Sequence, residues 1–177
     1  MRCLFYLYGG KMFEHNIGPF FDEKSNILIL GSFPSVKSRE ENFYYANKQN
    51  RFWKVLAQVF KDQVPESESE KKDFLTAHGI ALCDVIASCE ILGSSDASIK
   101  DVKASDISLI LENAPIEKLV LNGKKAAQLF YRNQGSALPL RNCKAQVIEV
   151  YELPSTSPAN AAFSLDALIA HWSIISK

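Results

Sequence analysis

Four polar segments, each placed directly after a short apolar run, contain most of the side chains that could do chemistry. The segments are GSFPSVKS (31–38), DVIASC (84–89), NGKK (122–125) and LPSTSPAN (153–160). Asp84 offers a carboxylate, and the last segment offers hydroxyl and N–H groups ahead of Pro158, which suits a first helical position. A helix start of this kind binds phosphate. Gly, Ser, Pro and Asn also gather at ordinary turns, so each segment alone has a purely structural alternative.

The apolar runs in front of these segments predict four buried strands. The runs are Ile27–Leu30, Ile80–Val85, Leu119–Leu121 and Gln146–Tyr151. Three of them are almost continuously apolar, which is typical of strands covered on both faces. Because ligands bind at the carboxyl ends of the strands in an open parallel sheet, we expect the four segments to meet on one rim.

Helical patterns fill the intervals between the strands. Phe52, Leu56, Val59 and Phe60 lie on one face of a helix at 51–60. Further helix signals are the capping box Ser67 with Glu70, a start at Ser105, the run Lys124–Tyr131 and a cap at Ser164. This alternation predicts a single-domain α/β fold, a three-layer α/β/α sandwich with a central four-stranded parallel sheet. We expect Asp62–Lys72 and Gly93–Ser108 to be surface connections.

Composition indicates one globular domain. The chain has 177 residues, of which 47% are hydrophobic and 23% charged, which excludes a largely disordered chain. Twenty basic and twenty acidic residues give a net charge of 0. No global positive field would draw this protein to nucleic acid, so any such contact must come from a local basic patch.

Cysteine and histidine spacing gives no metal site. Cys3, Cys83, Cys89 and Cys143 include no C-x-x-C pair, and the three histidines lie far apart. We therefore expect no metal, and free, mostly buried thiols. No other cofactor is expected. The first residues do not form a secretory signal, and no stretch approaches the roughly 20 apolar residues that span a bilayer. A cytoplasmic monomer that does not contact a membrane is expected.

Gly31 to Leu56, which reads GSFPSVKSREENFYYANKQNRFWKVL, resembles the first motif of the uracil-DNA glycosylase superfamily. In its mismatch-specific branch a G-x-N-P turn precedes, at the same distance, an aromatic residue, an Ala and an N-R-F-W helix start. GIALCDVIASC (79–89), LVLNG (119–123) and LPSTSPAN follow in the superfamily's order, the last where relatives carry a Pro-Ser loop that enters the DNA minor groove. GSFPS, YYANKQNRFW, GSSDASI and LPSTSPANA most resemble the hypoxanthine (deoxyinosine) glycosylase family.

This resemblance covers roughly residues 13–176, so we expect a glycosylase domain at 13–177 and an N-terminal extension at 1–12, with Met12 a candidate start. Two positions depart from most of the superfamily. Phe33 replaces the Asp or Asn that positions and activates water, and Leu153 replaces a His or Asn. The family resembled here shares such replacements, so the resemblance implies an active enzyme whose water is held by another residue.

Two residues are candidates for the catalytic work that the resemblance implies. Asn50 matches the Asn of N-R-F-W and could place the water, because an amide accepts and donates hydrogen bonds together. Its structural alternative is to be the N-cap of helix 51–60. Asp84 is the rival base, and it could instead read the base, since a carboxylate accepts from N1–H of hypoxanthine but meets a lone pair in adenine. Its structural alternative is a capping Asp at a strand end.

The first turn and two further residues are candidates for binding the extruded base. Backbone N–H groups between Ser32 and Ser35 could bind O6 of the base as negative charge builds there. Tyr45 falls where relatives stack an aromatic ring on the base, with Phe33 as the opposite wall, although either ring could be ordinary core. The complete predicted substrate set is Gly31, Ser32, Phe33, Pro34, Ser35, Tyr45 and Asn122.

Contacts to DNA phosphates are expected from basic and loop residues beside this site. The set is Lys48, Arg51, Lys124, Ser155, Thr156, Ser157 and Asn160, with Lys37, Arg39 and Lys125 nearby. We therefore predict a monofunctional DNA glycosylase that acts on DNA containing deaminated bases, favours hypoxanthine and leaves an abasic site. Monofunctional action is expected because no pocket Lys offers itself as a Schiff-base nucleophile. The alternatives are a mismatch-type uracil-DNA glycosylase and a catalytically inactive nucleic-acid-binding module.

Overall fold

The computed structural model describes residues 11–14, 17–91, 99–135 and 138–176. The strands are β1 (Lys11–Glu14), β2 (Ile27–Gly31), β3 (Ile80–Asp84), β4 (Ile86–Ile91), β5 (Ile99–Ala104), β6 (Lys118–Asn122) and β7 (Glu149–Leu153). The helices are α1 (Val36–Glu40), α2 (Phe52–Phe60), α3 (Glu68–Ala77), α4 (Ser108–Asn113), α5 (Lys124–Gln134) and α6 (Leu165–Trp172), followed by a 3₁₀ turn at Ser173–Ser176.

A four-stranded parallel sheet with the order β3-β2-β6-β7 forms the centre of the fold, as predicted. The last strand begins at Glu149 and not at Gln146. The reason is the side chain of Asn142, whose Oδ1 accepts from the N–H groups of Lys144 and Gln146 and closes a tight turn there. The chain therefore becomes a strand only after this turn.

Buried side chains alternate between the two faces of the sheet, because the side-chain period of a strand is two. On one face, Leu28 and Leu30 of β2 pack with Phe130 of α5. On the other face, Ile29 of β2 packs with Trp172 of α6. Helices α4 and α5 contribute to the first core, and α2, α3 and α6 contribute to the second. These two cores confirm the three-layer α/β/α arrangement.

Two helix starts follow the predicted caps. The capping box of Ser67 and Glu70 is complete, and Ser164 Oγ accepts from the N–H of Ala167. The predicted start at Ser105 is wrong: α4 begins at Ser108, whose N–H donates to Oδ1 of Asp106. Asp106 is the short polar side chain nearest the first helical N–H, and Asp and Ser commonly accept backbone bonds of this kind in turns.

A second sheet, antiparallel and ordered β1-β4-β5, was not predicted from the sequence. Its strand β5 lies inside Gly93–Ser108, so the interpretation of that segment as a surface connection is wrong at 99–104. Residues 92–98 lie outside the described part of the chain. Register shifts between β4 and β5 break the alternation by which a strand is recognised.

The predicted boundary after residue 12 falls inside β1, and residues 1–10 lie outside the described part.

Two of the four thiols can be described. Cys83 is free and buried, as predicted, whereas Cys143 is free and exposed; the side chains of Cys3 and Cys89 lie outside the described residues. Within the described ranges, no helix has both the length and the apolar character needed to cross a bilayer.

The strand order reverses between β2 and β6, so a crevice is expected at the carboxyl edge of the parallel sheet. The chain leaves β2 toward β3 on one side, and it leaves β6 toward β7 on the other. Adjacent strands whose connections diverge in this way open a crevice between their ends, and ligands bind there in open α/β sheets. The strand ends beside this crevice are Gly31 and Asn122.

Candidate active site

Gly31 and Asp84 are paired residues at the carboxyl ends of β2 and β3. A Cβ atom at position 31 would lie 2.2 Å from Oδ1 of Asp84 and 3.3 Å from the hydroxyl oxygen of Tyr45. Only glycine leaves room for both groups, because real Cβ contacts do not occur at the shorter distance. The carboxylate and the phenol therefore converge on the same point above β2, as the predicted rim requires.

The carboxyl group of Asp84 is buried with one of its two oxygens unpartnered. The residue is 4% exposed, and its Oδ2 bonds no group in the described part of the chain. Desolvation raises the pKa of this carboxyl from 3.8 to about 7. A buried polar atom without a hydrogen-bond partner is unfavourable. Asp84 therefore has an acceptor oxygen available for a donor that the described residues do not provide.

Tyr45 lies at the same point, in a left-handed conformation with φ of 51°. Its ring stacks on Phe52 at 3.6 Å between centroids, and its carbonyl accepts from Nε1 of Trp53. Burial, assisted by the neighbouring Asp84, raises the pKa of the Tyr45 hydroxyl far above its usual value, so the phenol stays protonated. One face of the ring is covered by Phe52, and stacking of a base on the other face remains a prediction.

Asn122 links the base side of the crevice to the loop after β7. Its Nδ2 donates to the hydroxyl of Tyr45 at 3.1 Å and to Oγ1 of Thr156 at 3.0 Å, and its Oδ1 accepts from the N–H of Thr156 at 3.0 Å. Both N–H donors of the amide are thereby used. The structure gives Asn122 an internal bridging role where direct substrate contact was predicted.

The first turn is fixed by contacts with its neighbours. Ser32 accepts at its carbonyl from the N–H of Ile86, and Oγ of Ser35 caps α1 by accepting from Ser38. Pro34 is buried, and the half-buried Phe33 packs against the core on the α4–α5 face. The guanidinium of Arg39 lies 5.5 Å above the ring of Phe33. Binding of a base by this turn remains a prediction.

Asn50 lies at the entry to α2, where its Oδ1 accepts from the N–H of Phe52 at 3.0 Å. The helix begins at Phe52 with Arg51 at its N-cap position, so the structural alternative considered for Asn50, the N-cap of helix 51–60, is wrong; Asn50 precedes the cap and bonds the first helical N–H. This bond uses one lone pair of the amide, which retains a second lone pair and two N–H donors. Water placement by Asn50 is compatible with this bond and remains a prediction.

Arg51 makes a set of bonds that the sequence did not indicate. Its Nη2 donates to the carbonyls of Ser157 at 2.8 Å and Asn160 at 2.9 Å, its Nε to that of Thr156 at 3.4 Å, and its Nη1 to that of Phe163. Its own backbone N–H also donates to Thr156. Four of the five guanidinium N–H groups are therefore used inside the protein, where contact with DNA phosphate was predicted.

The loop after β7 is tied together by its own polar groups. Oγ of Ser155 accepts from the N–H of Ser157, and Nδ2 of Asn160 donates to the carbonyl of Ser155 at 2.8 Å. Thr156 is fully buried, so direct DNA contact by its side chain would require the loop to open. Ser155, Ser157 and Asn160 are partly exposed, and their contact with DNA remains a prediction.

Two contributors to this loop were not found from the sequence. Gly123 has φ of 98°, and a Cβ there would lie 2.6 Å from Cβ of Ser155; the Asn-Gly pair after a strand was the available signal. Trp172 donates from Nε1 to the carbonyl of Pro154 at 3.0 Å. A buried Trp usually finds an acceptor, but which carbonyl it reaches cannot be derived from spacing.

Lysines beside the crevice carry charge that the described residues do not neutralise. Lys48, Lys124 and Lys125 are exposed and form no ion pair within the described ranges. Lys37, by contrast, pairs with Glu40 and Glu41. Lys48 and Lys124 therefore remain suitable for phosphate contacts.

Comparison with known proteins gives one family. The profile of the uracil DNA glycosylase superfamily matches residues 19–173. A protein of Methanosarcina acetivorans named hypoxanthine DNA glycosylase is 34% identical over 155 residues, covering 86% of this chain and 92% of that protein. A protein of the same name from Methanosarcina barkeri is 33% identical over 66% of this chain and 75% of its own length. The solution NMR structure of a candidate uracil DNA glycosylase from Methanosarcina acetivorans superposes with a TM-score of 0.74 at 27% identity, over 94% of this chain and all of that one.

The burial of the Asp84 carboxyl predicts a pH-dependent stability. Between about pH 4 and 7 the folded state holds a proton on Asp84 that the unfolded state has lost, so the contribution of Asp84 to the free energy of unfolding falls by roughly 1.4 kcal/mol for each pH unit. Asp84→Asn removes this term and should gain stability relative to wild type as the pH rises through that window. Urea unfolding at pH 4, 5.5 and 8 measures the difference. Asp73→Asn, which changes an exposed carboxylate on α3, should follow wild type; parallel Asp84→Asn and wild-type curves would contradict the prediction.

Proposed function

The chain belongs to the uracil DNA glycosylase superfamily, and we propose that it removes hypoxanthine from DNA by hydrolysis. The observation that carries this proposal is the buried, unpartnered Oδ2 of Asp84 at the crevice. Hypoxanthine has a ring N–H at N1 that such an oxygen can accept. The names of two relatives support the same substrate.

Asp84 discriminates hypoxanthine from adenine by the direction of one hydrogen bond. The ionised carboxylate accepts from N1–H of hypoxanthine, whereas adenine presents a lone pair at N1. A buried site that loses its partner in this way rejects the wrong base strongly. Uracil also carries a ring N–H, so the carboxylate alone does not separate hypoxanthine from uracil, and uracil belongs among the substrates to be compared.

Hydrolysis follows from flipping the base into the crevice. One face of the Tyr45 ring is covered by Phe52, and the base stacks on the other. Water held by Asn50 attacks C1′ of the deoxyribose, and the electrons of the C–N bond pass to the base. The water loses one proton and the departing base takes one up, so the hydrolysis balances without a further reactant. The product is DNA with an abasic site. Backbone N–H groups of the turn 32–35 stabilise the charge that builds on the leaving ring.

Separate substitutions distinguish the reading of the base from the placing of water. Asn50→Ala should lower single-turnover excision on the order of 100- to 1,000-fold for every substrate, because a preorganised polar group is lost. Asp84→Asn should instead lower the preference for hypoxanthine over adenine by roughly 100-fold or more, because an amide can also donate to N1. The assay uses duplexes carrying hypoxanthine, uracil, xanthine or adenine, followed by alkali.

Each outcome of this comparison assigns a role. A folded Asn50→Ala protein that cuts at the wild-type rate would leave Asn50 with only its structural bond to the N–H of Phe52. An Asp84→Asn protein that loses all substrates equally would make Asp84 the residue that activates water. Absence of excision by the wild-type protein on all four duplexes would leave a binding module and refute the proposed activity.

The pH profile of excision tests the ionised form of Asp84. Because burial raises the pKa of this carboxyl to about 7, kcat/KM on hypoxanthine should rise about tenfold per pH unit below that value and level off above it. Asp84→Asn should flatten the profile between pH 5.5 and 8.5. A wild-type profile that falls as pH rises through 7 would mean that the protonated carboxyl is the active form.

Salt dependence tests the lysines beside the crevice. Lys48→Ala and Lys124→Ala should each weaken binding to duplex DNA and reduce the slope of log K against log salt concentration by about 0.9. Lys144→Ala is the matched control, because Lys144 is an exposed lysine in the turn before β7, at the opposite end of the sheet. Equal slopes for all four proteins would remove these lysines from the DNA interface.

A further inference from the structure

The loop 155–163 has a defined shape, and its carbonyl groups converge on one cation. The carbonyls of Thr156, Ser157, Asn160 and Phe163 all accept from the guanidinium of Arg51. The structure records no acidic partner for Arg51 among the described residues. The guanidinium therefore binds main-chain carbonyls that would otherwise need water as their hydrogen-bond partner in this loop shape.

We propose that Arg51 is a positioning residue that holds the loop 155–163 in its DNA-binding shape before DNA arrives. That this loop shape serves DNA binding rests on the proposed function. The hydrogen bonds from Arg51 that hold the shape are present in the free protein. A loop that is already ordered saves the entropy of ordering on binding. Arg51 therefore acts on DNA through the loop and not through a phosphate.

The chemistry of arginine suits this role and that of lysine does not. A guanidinium carries five N–H donors in a planar fork, so it can bond carbonyls that approach from several directions. Lysine has the same charge but one nitrogen on a flexible stem. A lysine at position 51 would retain an electrostatic contact with phosphate and lose most of the four-carbonyl arrangement. The two roles therefore predict different results for the same substitution.

The loop has a second anchor that relates it to the base pocket. The N–H and Oγ1 of Thr156 bond the amide of Asn122, which also donates to the hydroxyl of Tyr45. The backbone N–H of Arg51 donates to the carbonyl of the same Thr156, directly after Asn50. When the bonds of Arg51 are lost, Asn122 still holds Thr156. The part of the loop that follows Thr156, which is expected to contact DNA, is therefore disturbed before the base pocket.

The experiment measures amide hydrogen exchange in the free protein, then excision. Arg51→Lys and Arg51→Met should both increase exchange at 155–163 at least about tenfold, while the amides of β6 and α5 keep wild-type protection. Arg141→Lys is the matched control: Arg141 also donates to one backbone carbonyl, that of Ala145, in the turn before β7. This control should leave exchange in 155–163 unchanged.

Excision and binding separate positioning from phosphate contact. With a hypoxanthine duplex, both Arg51 variants should raise the half-saturating protein concentration about tenfold in single-turnover assays and leave the saturated rate within about threefold. Both should keep the wild-type slope of log K against log salt concentration. Near wild-type behaviour of Arg51→Lys, together with a slope lowered by about 0.9 in Arg51→Met, would show a phosphate ligand and overturn the proposal.

A measurement on the wild-type protein keeps the test valid if the variants do not fold. In NMR spectra, the Nε–H of Arg51 should be slow to exchange in free protein and should keep its chemical shift when undamaged duplex DNA is added. Rapid exchange in the free protein, or a large shift on adding DNA, would overturn the proposal. Because exchange is read without excision, a protein that fails to release hypoxanthine but shows the protected loop refutes the proposed function and not this inference.

Discussion

Three hydrogen bonds from one amide connect the parts of the candidate site. Asn122 ends the strand β6, donates to Tyr45 in the first motif, and both donates to and accepts from Thr156 in the loop after β7. The bonded residues are 77 and 34 positions away from Asn122 along the chain. An amide can do this because it carries donors and acceptor on one rigid plane. The crevice, the phenol and the loop are thus a single hydrogen-bonded unit.

The site combines a stable network with one costly group. Asn122 and Thr156 bond each other, and Arg51 uses four of its five guanidinium N–H groups; these bonds gain strength from a poorly solvated environment. Asp84 lies in the same environment with one oxygen unpaired. Its raised pKa reflects the free-energy cost of keeping an ionised carboxylate there. Unfavourable local features of this kind persist where function needs them and the surrounding structure supports them.

Sequence patterns predicted the layers well and the polar connections poorly. Apolar runs located β2, β3 and β6 to within a residue, because strands buried on both faces leave few alternative interpretations. The antiparallel sheet was missed, since β4 combines apolar and polar residues and its pairing is irregular. For the site, residue type and order placed Gly31, Asp84 and Asn122 on one rim, and the family resemblance added Tyr45. Which of them face the substrate could not be derived: Arg51 looks like a phosphate ligand in sequence, and only its carbonyl partners reveal an internal role.

The junction between the two sheets restricts how the chain can vary. Only Val85 separates β3 from β4; its N–H donates to the carbonyl of Gly31 and its carbonyl accepts from Ser105. Most connections on a protein surface accept extra residues at small cost, but this connection has no spare length. One inserted residue would move every side chain of β4 to the opposite face of its sheet or pull Asp84 away from Gly31. We therefore expect natural relatives to keep this connection at one residue and to vary in length at other connections.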